Sequence, residues 1–129
     1  MTEPQNIDLR TIFEAIGGAP AFERIVARFY DGVATDPVLR PLYPADLEES
    51  KRFLALFLMQ YFGGPTTYSQ ERGHPRLRMR HMPFAVGQAE RDAWLRHMTA
   101  AVDAEALAPP LRHALLDYFA RTATFMMNR

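Results

Sequence analysis

Glycine and proline breaks divide this chain into helix-length pieces, and they constrain its fold more than any other feature. Gly17-Gly18, Gly63-Gly64-Pro65, Pro83 and Pro109-Pro110 separate the segments, and Pro37, Pro41 and Pro44 crowd one short stretch. Glycine supplies the left-handed backbone that a helix end often needs, while proline is tolerated only in the first turn of a helix. Asp8 to Ile16 reads as a short helix stopped at Gly17-Gly18. A second helix is predicted over Pro20 to Ala34, where Phe22, Ile25, Val26, Phe29, Tyr30 and Val33 follow the spacing of one buried face. The three prolines then predict a tight corner containing Leu39, Leu42 and Tyr43. Asp46 to Phe62 reads as a strongly apolar helix, with Leu54, Phe57, Leu58 and Tyr61 on one face. Thr66 to His74 reads as irregular, and Pro75 to His81 as a short helix closed by Pro83. Gln88 to Val102 follows as a helix striped by Trp94, Met98, Ala101 and Val102. Pro109-Pro110 opens the last helix, whose inward positions are Leu111, Leu115, Tyr118, Phe119, Thr122 and Met126. The alternation from Arg76 to Arg80 suits a strand, but one five-residue strand would have no partner. The class predicted is all-α.

At 129 residues the chain is expected to form a single domain, 1–129, with residues 1–7 a loosely ordered extension. Cysteine is absent, which excludes disulfides, thiolate zinc sites, iron–sulfur clusters and a cysteine nucleophile. Lysine and arginine number 15 and so do aspartate and glutamate, giving no general attraction to nucleic acid or an anionic membrane. The longest apolar run, Phe53 to Met59, is far below the roughly 20 residues that span a bilayer. Met1 to Arg10 is polar and lacks the apolar core of a signal peptide, so a cytoplasmic protein is expected.

Chemistry rests on histidines and aromatics. Of His74, His81, His97 and His113, none forms a His-Glu-x-x-His pair, so a zinc protease or di-iron bundle is disfavoured. His113 reads as exposed and His97 as half-buried. His81 ends a stretch containing Arg72, His74, Arg76, Arg78 and Arg80. That cluster reads either as a solvated basic loop or as an anion site, because arginine forks pair well with carboxylates. Tyr30, Tyr43 and Trp94 sit in otherwise apolar stretches, as core packing or as donors converging on a cavity. A buried donor needs a partner, since leaving it unpaired costs about 1–3 kcal/mol.

Several pieces, in this order and spacing, carry a family resemblance. They are Ala15-Ile16-Gly17-Gly18, Arg28-Phe29-Tyr30, Gln60-Tyr61-Phe62-Gly63-Gly64-Pro65, and Arg72-Gly73-His74-Pro75 running on to Arg80-His81, with Pro83-Phe84 beyond. From about Ile12 to Phe125 the chain resembles the group II truncated haemoglobins. The resemblance implies a shortened globin fold, two helices packed over two around haem b. It makes His81 the proximal iron ligand and sets Arg80 near a propionate, with Tyr68 a weaker candidate for the same edge. It matches Tyr30, Tyr43 and Trp94 to the family's distal polar residues. Ser50 falls where many globins carry a gating histidine, and Leu54 one turn later is expected to face the ligand. Leu54 departs from members with glutamine there, removing one potential donor. Phe57, Leu58 and Phe84 complete the expected haem contacts.

The function implied is binding of dioxygen, carbon monoxide or nitric oxide, with slow release. An alternative is redox chemistry, peroxidase-like or nitric-oxide-detoxifying, which needs an electron-donor reductase because the chain carries no flavin or nicotinamide domain. A third reading is a haem-free helical module using the Arg72 to Arg80 cluster on an acidic partner or RNA.

Overall fold

The computed structural model describes residues 7–129. Among them are seven α-helices and no strand. They are α1 (Ile12–Ala15), α2 (Ala19–Thr35), α3 (Glu48–Tyr61), α4 (Thr67–Arg72), α5 (Leu77–His81), α6 (Gln88–Asp103) and α7 (Pro109–Phe125). Single 3-10 turns precede α1 (Leu9–Thr11) and fill the corner between α2 and α3 (Arg40–Leu42). Helix α2 packs on both α3 and α6, and α6 packs on α7. The result is two helices over two, the truncated globin arrangement. None of the seven helices is long and apolar enough to cross a membrane.

The periodicity of α2 translates directly into burial. Phe22, Ile25, Val26, Phe29, Tyr30 and Val33 are all buried, together with Ala21. Met98, Ala101 and Val102 of α6 and Leu115, Tyr118 and Phe119 of α7 close the core from the other side. Full burial of a side chain such as Phe22 contributes about 1.5–3 kcal/mol. His113 is exposed and His97 half-buried, as expected. Residues 1–6 of the expected extension lie outside the described residues, while Ile7 is partly buried against the core.

Local boundaries differ from the sequence reading in several places. The first helix is a 3-10 turn followed by the four residues of α1, not one continuous helix from Asp8. α3 begins at Glu48, two residues later than expected, after the Asp46 carboxylate has accepted the Glu48 N–H (2.9 Å). The stretch read as irregular contains α4. Tyr68 of α4 is buried edge-on against Phe57 (ring centroids 5.5 Å), and Gln60 bonds both the N–H (2.9 Å) and hydroxyl (2.7 Å) of Ser69. Those contacts come from α3, so local composition does not reveal them.

Two close crossings need glycine. Gly63 has φ +98°, and a Cβ there would overlap the Arg10 carbonyl oxygen where the start of the chain crosses the end of α3. The Phe13 N–H donates to the Phe62 carbonyl (2.9 Å) at this crossing. A Cβ on Gly32 would overlap the His97 imidazole, so glycine lets α2 approach α6 closely.

Two carboxylates lock the frame. Asp36, just past α2, accepts from His97 Nε2 (2.6 Å), Arg96 Nη2 (3.1 Å) and the Val38 and Leu39 N–H groups (2.8 and 3.3 Å). The Glu105 carboxylate accepts from Arg24 and Arg28, tying α2 to the end of α6. The His97 bond holds the Asp36 carboxyl below its usual range, and the Arg24 bond does the same for Glu105. A carboxyl depressed in the folded state stabilises above its unfolded pKa, and that stability is lost as pH falls through the folded value. The melting temperature should therefore drop on acidification below about pH 4. Asp36→Asn should flatten that slope in a thermal melt series, and an unchanged slope would show that Asp36 is not a source of the acid sensitivity.

Candidate functional site

Between α3, α5 and the α6–α7 pair the core is not filled. A cavity of about 510 Å³ remains, within the usual range for cofactor pockets. Leu54, Phe57 and Leu58 of α3 supply one apolar wall, with Ser50 a turn earlier. Leu77, Arg80, His81 and Phe84 come from α5 and the turn after it. Trp94 of α6 and Phe119 and Ala123 of α7 line the interior, and Tyr68 and Arg72 lie at the α4 edge. Every residue expected at the site lines this one cavity: Tyr30, Tyr43, Ser50, Leu54, Phe57, Leu58, Tyr68, Arg80, His81, Phe84 and Trp94. His74, His97 and His113 do not.

The His81 ring is held from one side. Its Nδ1 lies 2.6 Å from the Leu77 carbonyl one turn back. A carbonyl only accepts, so Nδ1 carries the proton and Nε2 is left as an unprotonated donor atom. This is the arrangement that orients a metal-binding imidazole and raises its basicity. Among the described residues, no three His, Asp or Glu side chains group as a metal cage. His81 brings the one imidazole to the cavity, and the Glu90 carboxylate there accepts the Gly87 N–H (2.8 Å), which suits a metal whose remaining ligands come with the cofactor.

Arg80 and Arg72 give the rim its positive charge. The Arg80 Nε donates to the Pro75 carbonyl (2.7 Å), and Arg72 lies over the Phe53 ring (4.5 Å to its centroid). Arg76 adopts a left-handed backbone (φ 47°), which delays the start of α5 from Pro75 to Leu77.

The three polar aromatics form one connected group. The Tyr30 ring stands edge-on to Tyr43 (5.6 Å, 85°), and Phe29 lies between Tyr30 (5.0 Å) and Trp94 (5.3 Å). The polar groups of Tyr30, Tyr43, Ser50 and Trp94 all face the same cavity, near enough for each to influence its neighbour's ionisation. Burial pushes the Tyr43 phenol up to about 12 and drives Tyr30 up as well. Both remain protonated donors at neutral pH.

Sequence reasoning missed the groups that hold these donors. Arg40 donates to three successive carbonyls, Tyr43 (3.2 Å), Pro44 (2.9 Å) and Ala45 (2.9 Å). Asp36 anchors the start of the same corner to α6. Tyr43 thus rides on a loop fixed at both ends by charge-assisted bonds. Only the prolines hinted at this, by making the corner short of backbone donors.

Comparison with known proteins agrees with the geometry. Residues 11–128 match the bacterial-like globin family. The group 2 truncated haemoglobin YjbI of Bacillus subtilis is 42% identical over 117 residues, covering 91% of this chain and 88% of that protein. The solved haemoglobin of the thermophilic phototroph Chloroflexus aurantiacus is 58% identical with a TM-score of 0.90, covering 92% of this chain and 98% of its own. A truncated oxygen-avid haemoglobin from Bacillus subtilis is 42% identical with a TM-score of 0.87, covering 92% and 99%. The chain belongs to the bacterial-like globin family. As a globin of the truncated kind it binds haem b and small diatomic ligands such as dioxygen. The cavity, its lone imidazole and its basic rim fit that cofactor.

Removing the corner's anchor tests the support of Tyr43. Arg40→Ala should cost about 1–3 kcal/mol in urea unfolding and broaden the Tyr43 ring signals in NMR spectra. Sharp, unshifted signals at full stability would show that the corner holds itself.

Proposed function

We propose that the protein is a dioxygen-binding haem protein built for slow release, in which His81 would hold the iron and Tyr30, Tyr43 and Trp94 would stabilise the bound gas. One observation carries this reading. A His81 imidazole with Nδ1 bonded to Leu77 shares a cavity with three buried or half-buried aromatic donors, Tyr30, Tyr43 and Trp94. When bound, haem would supply an iron able to take up diatomic gases as polar, partly negative ligands. The residues around it do the rest.

Tyr30, Tyr43 and Trp94 offer O–H and N–H donors in a largely apolar pocket, where a hydrogen bond to a partial charge is stronger than in water. Their preorganisation matters as much as their number. Tyr43 is held by Arg40 and Asp36, and Tyr30 sits on the buried face of α2. Neither must be reoriented when a ligand enters. Ser50 keeps the entrance side small, while Leu54, Phe57, Leu58 and Phe84 exclude water. Tyr68 and the Arg72–Arg80 rim suit the cofactor's propionate edge, with Arg80 exchanging its bond to Pro75 for a carboxylate. The oxygen-avid relative from Bacillus subtilis is consistent with this assignment.

His81→Ala should weaken or reshape the Soret band of the purified protein, whereas His97→Ala and His113→Ala should leave its shape intact. Trp94→Phe should speed dioxygen release roughly fivefold in stopped-flow replacement, the effect of one net hydrogen bond. A rate unchanged in Trp94→Phe and already as fast as that of a muscle-type store would sink the slow-release reading.

A further inference from the structure

The helix that carries His81 is lightly held, with Leu77 packed against the core and Arg78 over the Phe125 ring of α7 (5.7 Å to its centroid). α5 is five residues long and none of them is buried. It follows a left-handed Arg76 and leads into Met82, Pro83, Phe84 and Ala85, all exposed. Its internal bonds are local: Arg80 Nε to Pro75, the Met82 N–H to Met79 (3.2 Å) and the Phe84 N–H to His81 (3.0 Å). Bonds of this kind give a segment shape without fixing it against the rest of the molecule.

A fixed point comes from the stretch just beyond α7. The Asn128 main-chain N–H donates to the Val86 carbonyl (2.8 Å), and Asn128 Oδ1 accepts the Val86 N–H (2.9 Å). Asn128 Nδ2 donates to the Phe84 carbonyl (2.9 Å) and, at 3.4 Å, to the carbonyl of His81 itself. One primary amide thus satisfies an N–H and two carbonyls, which requires an acceptor and two donors on one planar group. Among the neutral side chains only asparagine and glutamine carry that set, and asparagine is the shorter. Val86 is the buried residue of this turn, so the clamp closes where the turn meets the core.

We infer that Asn128 is a positioning residue for the iron ligand, clamping the 81–86 backbone to the end of α7. The inference rests on His81 being that ligand. The two bonds to the histidine divide the work. Leu77 sets the tautomer and rotation of the ring, while Asn128 sets where its backbone sits relative to α7, whose Thr122, Ala123 and Met126 line the same cavity. A clamp that merely added stability would have no need to grip the carbonyl of residue 81.

The test uses the haem-loaded protein with Asn128→Ala and Asn128→Asp. Aspartate keeps an acceptor for the Val86 N–H but loses both side-chain donors. Two quantities are read: the iron–histidine stretching band in the resonance Raman spectrum of the ferrous protein, and the rate of haem transfer from the ferric protein to excess apomyoglobin. Asn128→Ala should shift or broaden the band and speed haem loss roughly 5- to 30-fold, the range for one or two lost hydrogen bonds. Asn128→Asp should disturb the band similarly while losing haem more slowly than the alanine variant, and it carries the test if the alanine variant does not fold. A band of wild-type position and width in both variants overturns the proposal, even if haem loss quickens, because general loosening alone would do that. If the wild-type protein itself gave no iron–histidine band, the assignment of His81 would fall instead.

Discussion

Everything in this structure leans on α2. It joins the two helix pairs, packing on α3 within its own pair and on α6 of the other. Seven of its residues are buried, and its glycine at position 32 is what allows α6 to come close. The same approach brings His97 within reach of Asp36, so a packing constraint becomes an electrostatic one. It also fixes Tyr30 on a rigid element, pointing into the space left between α3, α5 and the α6–α7 pair. Displacing α2 would misplace the core, the Tyr43 corner and the Tyr30 hydroxyl together.

Much of this was legible in the chain beforehand, and the reason is periodicity. An amphipathic helix must bury its apolar stripe, so Phe22 through Val33 could be read as one face without knowing the partner. Glycine and proline breaks carry equally local meaning, and they marked the helix ends to within a residue or two. The cavity residues were legible for a different reason, a resemblance that linked His81 with Tyr30, Tyr43 and Trp94 across the chain. Spacing alone could not have separated His81 from the other three histidines.

What escaped sequence reading depends on distant partners. α4 looks irregular because its polar composition says little, and it is organised by Gln60 and by a berth for Tyr68 against Phe57. Asp36 and His97 are 61 positions apart, and Asn128 reaches back 42 positions to Val86. Arg40, next to Pro41, resembles any surface arginine until the three carbonyls around it are seen. Polar side chains that satisfy backbone groups have no periodic signature, since one residue in the right place suffices.

The two sides of the cavity are therefore held by different physics. The donor side is anchored through buried apolar surface and charge-assisted bonds, while the histidine side stands on short, largely exposed backbone and a few hydrogen bonds. Segments of the second kind open at small free-energy cost, without unfolding of the rest. In hydrogen exchange, the amides of α5 and the following turn would trade protons long before those of α2 or α6. Haem bridging the two sides would then act as a tertiary contact that the chain lacks, transferring stability to its weakest segment by mass action.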